Sequence, residues 1–179
     1  MDGSKLKNLP MILPGTPPPI KGESLNGYLL RLSELNGYAN LPQLLKIAGY
    51  KGAPYWYKPG IGDRIASLIG MSSDEFKAMS YDRGSKASSR TKAQIFGHDV
   101  SYTMLDVTNP KICPACVVDN GYIKSEWDLT SFIACPDHRT ILLSRCPHCE
   151  RKLSWRRPGL LTCACQRPSG RFLNQVNRL

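Results

Sequence analysis

A mainly α N-terminal bundle containing a helix-turn-helix, joined to a small α+β, zinc-ribbon-like region with two structural zinc sites, is the fold class this sequence predicts. Three observations carry it. Apolar residues recur at helical spacing from Leu25 to Met79, with caps and glycines between the runs. Eight cysteine and histidine side chains then fall into four close pairs: Cys113-x-x-Cys116, Cys135-x-x-His138, Cys146-x-x-Cys149 and Cys163-x-Cys165. Finally, 179 residues at 41% hydrophobic composition allow one domain or two small ones, but the C-terminal part is polar and needs metal to be stable.

Residues 1–22 carry Pro10, Pro14, Pro17, Pro18 and Pro19 and are expected to be an extended leader, because proline fixes φ and lacks the amide donor. Residues 23–83 are expected to form the helical domain. Its first helix starts at the N-cap Ser24, places Leu25, Tyr28, Leu29, Leu32 and Leu35 on one stripe, and ends at Asn36-Gly37. A second runs from Leu41 to Ala48, with Pro42 in its first turn and Gly49 closing it. The loop 51–60 carries Tyr55, Trp56 and Tyr57, which are expected to pin it to the core; stacking on nucleic-acid bases is the alternative. Asp63–Ile69, the turn Gly70-Met71-Ser72 and Asp74–Met79 then read as helix, turn, helix, with Ser72 and Glu75 as a capping box. The acids Asp74 and Glu75 argue against deep reading of a DNA groove by that last helix and leave protein docking as the competing use.

Residues 84–109 read as a linker, with a short helix near Thr91–Phe96. Residues 110–169 form the double zinc region and 170–179 a tail. Four clips holding eight soft ligands match two tetrahedral Zn²⁺ sites, each closed by four protein ligands and therefore structural. Seven cysteines cannot all pair as disulfides, and Met1–Ile20 is polar and proline-rich, unlike a secretion signal. A reducing, cytoplasmic setting is expected, with no membrane partner. Sequential pairing groups Cys113, Cys116, Cys135 and His138 at one site and Cys146, Cys149, Cys163 and Cys165 at the other; a cross-braced arrangement is the alternative. His148 is expected to face solvent, and His98 to have no special role. Glu126–Ile133 is expected to be a short helix or strand leading into Cys135, and residues 154–162 a β-hairpin whose tip carries Arg156 and Arg157.

The formal net charge is +10, and two zinc ions with seven thiolates leave the chain basic. From Arg139 onward nine basic residues face one acid, Glu150, a balance that suits phosphate contact, with Arg151, Lys152, Arg156 and Arg157 as the candidates. H-E-x-x-H, P-loop, G-x-S-x-G and the deaminase pair H-x-E with P-C-x-x-C are all missing, so a binding module is expected rather than an enzyme.

The layout resembles the TniQ family, target-selection adaptors of Tn7-like transposons, and its length is similar to the compact members found in CRISPR-associated transposons. The resemblance rests on Gly22-Glu23-Ser24-Leu25 with Tyr28 and Arg31, on Cys113-Pro114-x-Cys116 and Trp127, and on Cys135-Pro136-Asp137-His138, Leu142 and Cys146-Pro147-x-Cys149. It extends over about residues 10 to 167, and the tight Cys163-Ala164-Cys165 clip departs from the pattern. The resemblance implies a helix-turn-helix domain, two zinc motifs and no catalysis. It also implies a job: linking a target-recognition complex (an RNA-guided effector or a DNA-bound targeting protein) to the AAA+ ATPase regulator that recruits the transposase. Contact with DNA and guide RNA, on the nucleoid during transposition, is expected from it. The alternative is an autonomous, sequence-specific DNA-binding zinc protein that selects the target site.

Overall fold

The computed structural model describes residues 12–52, 57, 60–81, 92–95 and 98–165. Four helices come first: α1 (Leu25–Leu35), α2 (Leu41–Ile47), α3 (Ile61–Leu68) and α4 (Ser73–Met79). An antiparallel hairpin of β1 (Lys92–Ile95) and β2 (His98–Ser101) follows. Then come α5 (Pro114–Asn120) and a smaller hairpin of β3 (Ala134–Cys135) and β4 (Thr140–Ile141), with short 3₁₀ turns at Tyr102–Met104 and Ser125–Asp128.

Ser24 caps α1, its hydroxyl accepting from the Gly27 amide at 3.1 Å, and Asn36 ends it ahead of Gly37 at φ 74°. Leu25, Tyr28, Leu29 and Leu32 are buried as the spacing predicts, but Leu35 is 57% exposed. Asn26, Gly27 and Leu30 are buried as well, Asn26 against Tyr57 and Gly27 against Ile123 of the C-terminal half. The Ser24 amide donates to the Ile123 carbonyl, and an isolated bridge joins Glu23 to Lys124. A β-carbon on Gly27 would sit 2.8 Å from that of Ile123, so the glycine is what lets α1 and the Ile123 backbone meet. Gly27→Ala is expected to cost about 1–3 kcal/mol through this overpacking, read as a lower midpoint in thermal denaturation.

Asn40, unremarked in the sequence, caps α2. The Ser72–Glu75 capping box forms at the start of α4, and Phe76 packs inward at 3% exposure. Tyr57 meets Tyr50 and Phe76 edge-on at 5.7 and 5.8 Å, and its hydroxyl donates to Asn26 Oδ1, which is the pinning role expected of it. Tyr55 and Trp56 lie outside the described residues.

The short helix expected near Thr91–Phe96 is corrected: residues 92–95 are strand β1. Ala93 and Ile95 are buried at 1% and 6%, so the period is two rather than 3.6. Residues 12–20 pass over the helices as a strap with no helix or strand of its own. The Leu13 amide donates to the Leu68 carbonyl, and the Asn36 amide grips both the carbonyl and the amide of Gly15. Tyr28 and Arg31 donate to the Pro17 and Pro18 carbonyls. Apolar side chains from both halves, Leu29 and Ile65 with Ile123 and Trp127, belong to one buried cluster.

Asp128 closes the gap between the halves. Its buried carboxylate accepts from the Tyr81 hydroxyl just past α4, and burial pushes its pKa up to about 7. The folded state therefore holds this proton more tightly than the unfolded chain does. Stability from this group is full below the ordinary carboxylate range and is lost as pH rises through about 7. Asp128→Asn is expected to gain stability relative to the parent as pH rises from about 4 to 7, checked by urea denaturation at several pH values; a difference that does not grow across that range contradicts it.

Candidate metal centres

Cys113 is the N-cap of α5, Pro114 occupies the first helical position, and Cys116 follows within the first turn, so one short helix delivers the first clip. The β3–β4 hairpin delivers the second, Cys135 leaving β3 and His138 lying in the connecting turn. Cys116 Sγ is 3.4 Å from Cys135 Sγ and 3.2 Å from His138 Nδ1. That nitrogen is 3.6 Å from Cys113 Sγ and 3.7 Å from Cys135 Sγ. In the second group, Cys146 Sγ lies 3.9 Å from Cys165 Sγ, and Cys149 Sγ 3.8 Å from Cys163 Sγ.

These lengths can be tested against an ion. With Zn–S of about 2.3 Å and Zn–N of about 2.0–2.1 Å, a tetrahedron has S···S edges near ~3.8 Å and S···N edges near ~3.6 Å. The observed spacings sit close to those edges and far from the S–S bond of about 2.05 Å that a disulfide needs. None of the seven cysteines is in a disulfide. Each quartet of ligand atoms lies within 4.8 Å, so either could hold a metal ion. The clips combine in sequence order, and the cross-braced arrangement is not formed.

The same backbone device follows the second and third clips. Arg139 and Glu150, each the residue after a clip's last ligand, adopt left-handed φ of 52° and 57°. The turn brings the chain back on itself: the Glu150 amide bonds the Cys146 carbonyl, and the Cys146 amide bonds the Arg151 carbonyl. The His148 amide donates to Cys146 Sγ. His148 is half-buried with Nε2 shut away from solvent and unpartnered, rather than facing solvent as expected.

Groups around the clusters adjust their charge. Asp119, on α5, accepts from His138 Nε2 at 3.1 Å, which fixes the tautomer that leaves Nδ1 free to ligate. Hydrogen bonding to Cys135 and then to Asp119 holds the His138 pKa up. Burial raises the Cys116 thiol well above its ordinary range. Burial opposes ionisation of Cys135 too, but hydrogen bonds from His138 outweigh it and lower that pKa. In the second cluster burial pushes Cys163 up to about 12, while a hydrogen bond from Arg151 brings Cys149 down to about 6. Lys124 pairs with Asp137 at 2.7 Å beside the first cluster. Asp119 was legible in principle, since it lies one helical turn after Cys116.

Residues 155–161 are turns and bends and Thr162 lies in a β-bridge, so the β-hairpin expected over 154–162 is not formed. Arg151, Lys152 and Arg156 are exposed, but Arg157 is corrected from an exposed tip to the interior, at 2% exposure. Its Nε and Nη1 donate to the Gly159 and Ser154 carbonyls, and its guanidinium lies 5.5 Å from the Trp155 ring centroid. Burial lowers its pKa to about 10.

With both clusters in place, comparison with known families decides the kinship: the TniQ family model matches residues 14–142. The chain belongs to the TniQ family. The family is one of non-catalytic transposition adaptors that work with other proteins, and membership implies a transposition-related adaptor role. No curated protein matches the chain. The TniQ match takes in the strap from Pro14 on, the helices and the whole first cluster, and stops short of Cys146. It also takes in Glu23 and Arg31, whose carboxylate and guanidinium form a two-pronged pair at 2.8 and 2.7 Å. Among the described residues no helix is long and apolar enough to cross a membrane.

Proposed function

We propose that this TniQ protein is a zinc-stapled adaptor that joins a target-recognition complex to the AAA+ regulator of transposition. One structural Zn²⁺ is held by Cys113, Cys116, Cys135 and His138, a second by Cys146, Cys149, Cys163 and Cys165. Each ion supplies cross-linking and thiolate stabilisation, with every tetrahedral position taken by protein. The observation that carries the reading is the pair of complete ligand quartets within a chain of the TniQ family.

The α3–turn–α4 unit is proposed as a protein-docking helix-turn-helix. The α4 helix spans only seven residues and offers exposed Asp74 and Glu75, which phosphate would repel. Nucleic acid, DNA or the guide RNA of an RNA-guided effector, is proposed to meet the exposed Arg151, Lys152 and Arg156 instead. Replacing Lys152 and Arg156, which make no contact with the cysteine ligands, by alanine is expected to reduce the log–log salt slope of nucleic-acid binding by about 1–2 without releasing metal. The role itself is tested by titrating the protein against the AAA+ regulator and against duplex DNA at physiological salt. Tight regulator binding with weak, salt-sensitive DNA binding is the expected result. Nanomolar, sequence-selective DNA binding without regulator binding would establish an autonomous DNA-binding protein instead.

A further inference from the structure

We propose that the cleft at the C-terminal end of α4 docks an acidic protein segment, which seats one large apolar side chain between the two halves of the chain and sets a carboxylate against Lys21. The site rests on the protein-docking reading of α3–turn–α4 and adds the place and the chemistry of the contact.

The cleft has a volume of about 570 Å³ and lies where several parts of the chain converge. The end of the strap forms one wall, and Ala78 and Met79 of α4 with the following Tyr81 form another. Ile95 of β1 and Ser125 of the zinc half complete it. Ligand sites run to about 300–1,000 Å³, so a large side chain fits here together with the backbone beside it. Four polar side chains line the cleft, and three are already engaged. Glu23 is taken by Arg31 and the Ile20 amide, the Ser125 hydroxyl donates to the Gly22 carbonyl, and the Tyr81 hydroxyl donates to Asp128. A small polar ligand needs convergent polar groups to orient it, and these three are spent. An apolar side chain needs none.

Lys21 is the fourth. It sits in a turn that Glu23 ties together, its amide donating to the Ile20 carbonyl at 2.9 Å and its carboxylate accepting from the Ile20 amide at 3.0 Å, with Gly22 at φ 84°. A turn held this way presents the lysine at little ordering cost. Lys21 is exposed and pairs with no carboxylate among the described residues. Ile20 beside it is 38% exposed, apolar surface that a partner would cover. The acids of α4 lie in its first turn, away from the cleft, while Lys77 in the last turn makes only an exposed 3.7 Å pair with Asp74. Glu126, next to Ser125, is offset by Lys124. The mouth of the cleft is therefore basic, and charge complementarity selects an acidic segment.

The test selects peptides from a random phage-displayed library on the immobilised full-length protein, with Ala78→Trp for counter-selection. Ala78 is exposed, so a tryptophan there fills the cleft without entering the core. The selected sequences are expected to carry one Phe, Leu or Trp flanked by Asp or Glu. In fluorescence anisotropy Ala78→Trp should weaken their binding about tenfold or more, as loss of an anchoring contact does. Lys21→Ala should weaken it about two- to fivefold. Lys152→Ala combined with Arg156→Ala, remote from the cleft, should leave it near the parent value. If Ala78→Trp does not fold, Lys21→Glu takes over the counter-selection and the same outcomes decide. Selected sequences that ignore the cleft variants, or that are basic, overturn the inference. So does a Lys152 and Arg156 variant that loses as much affinity as Lys21→Ala, since general attraction to a basic protein then suffices. Single-stranded DNA binding that is lost in Ala78→Trp would assign the cleft to bases and overturn it as well. Titration against the AAA+ regulator reports separately: a parent that binds no regulator refutes the adaptor role while peptides held at the cleft still stand.

Discussion

Removing both metal ions is expected to unfold the region from Lys111 to Cys165 and to loosen α1, the largest effect any single treatment should produce. The physical reason is the poverty of regular structure there. The α5 helix has seven residues, and β3 and β4 have two each. The remaining pairing consists of isolated bridges such as Ile112–Leu143 and Arg145–Lys152. Elements this short are not stable alone. Zinc binding in small metal-dependent domains contributes about 10–16 kcal/mol, which is folding free energy when the unfolded chain offers no preformed site. Trp127 and Trp155 are buried in this half, at 0% and 2% exposure, so chelation should red-shift tryptophan emission. Cys116→Ser should lose one metal equivalent and Cys149→Ser the other. Emission unaltered after complete metal removal would show that apolar packing alone holds this half.

The second large effect is expected from Arg31→Met. The Glu23 side chain has no solvent exposure, and Arg31 supplies both Nε and Nη2 to its carboxylate, with the Ile20 amide as a third donor. Removing the guanidinium leaves a buried carboxylate uncompensated, at a cost of about 3–5 kcal/mol. The loss spreads, since Arg31 also holds the Pro18 carbonyl and sits 5.2 Å from the Tyr28 ring centroid. The strap over α1 should come free, which limited proteolysis before residue 22 would reveal alongside the lowered denaturation midpoint. The double variant Glu23→Gln with Arg31→Met should recover part of the stability, because the unpaired charge is then gone. A single variant as stable as the parent would reduce this pair to surface decoration.

The parts legible in the sequence are those set by near neighbours along the chain. Ser24, the Ser72–Glu75 box and the glycines after α1 and α2 act within one helical turn, and each does what its spacing predicts. The ligand clips are local too, and their grouping into two quartets follows sequence order. The β1–β2 hairpin was not legible, since four residues with two buried positions fit a helix turn as well as a strand. Arg157 misled for a related reason. An arginine beside a Pro-Gly pair reads as an exposed turn, and only the way this turn folds back, giving Nε and Nη1 the Gly159 and Ser154 carbonyls and setting the guanidinium against the Trp155 ring, makes its burial tolerable. The TniQ signature around Glu23 and Arg31 was visible as a motif, but its physical work, clamping a proline-rich strap, depends on residues eight or more positions apart.

Two ions, each closing one sequential quartet, are proposed to hold the C-terminal half against the helices. Elemental analysis of the folded, full-length protein measures this most directly. Two zinc equivalents per chain, falling to one with Cys146→Ser, is the predicted result. A natively folded protein carrying far less than one equivalent would contradict it.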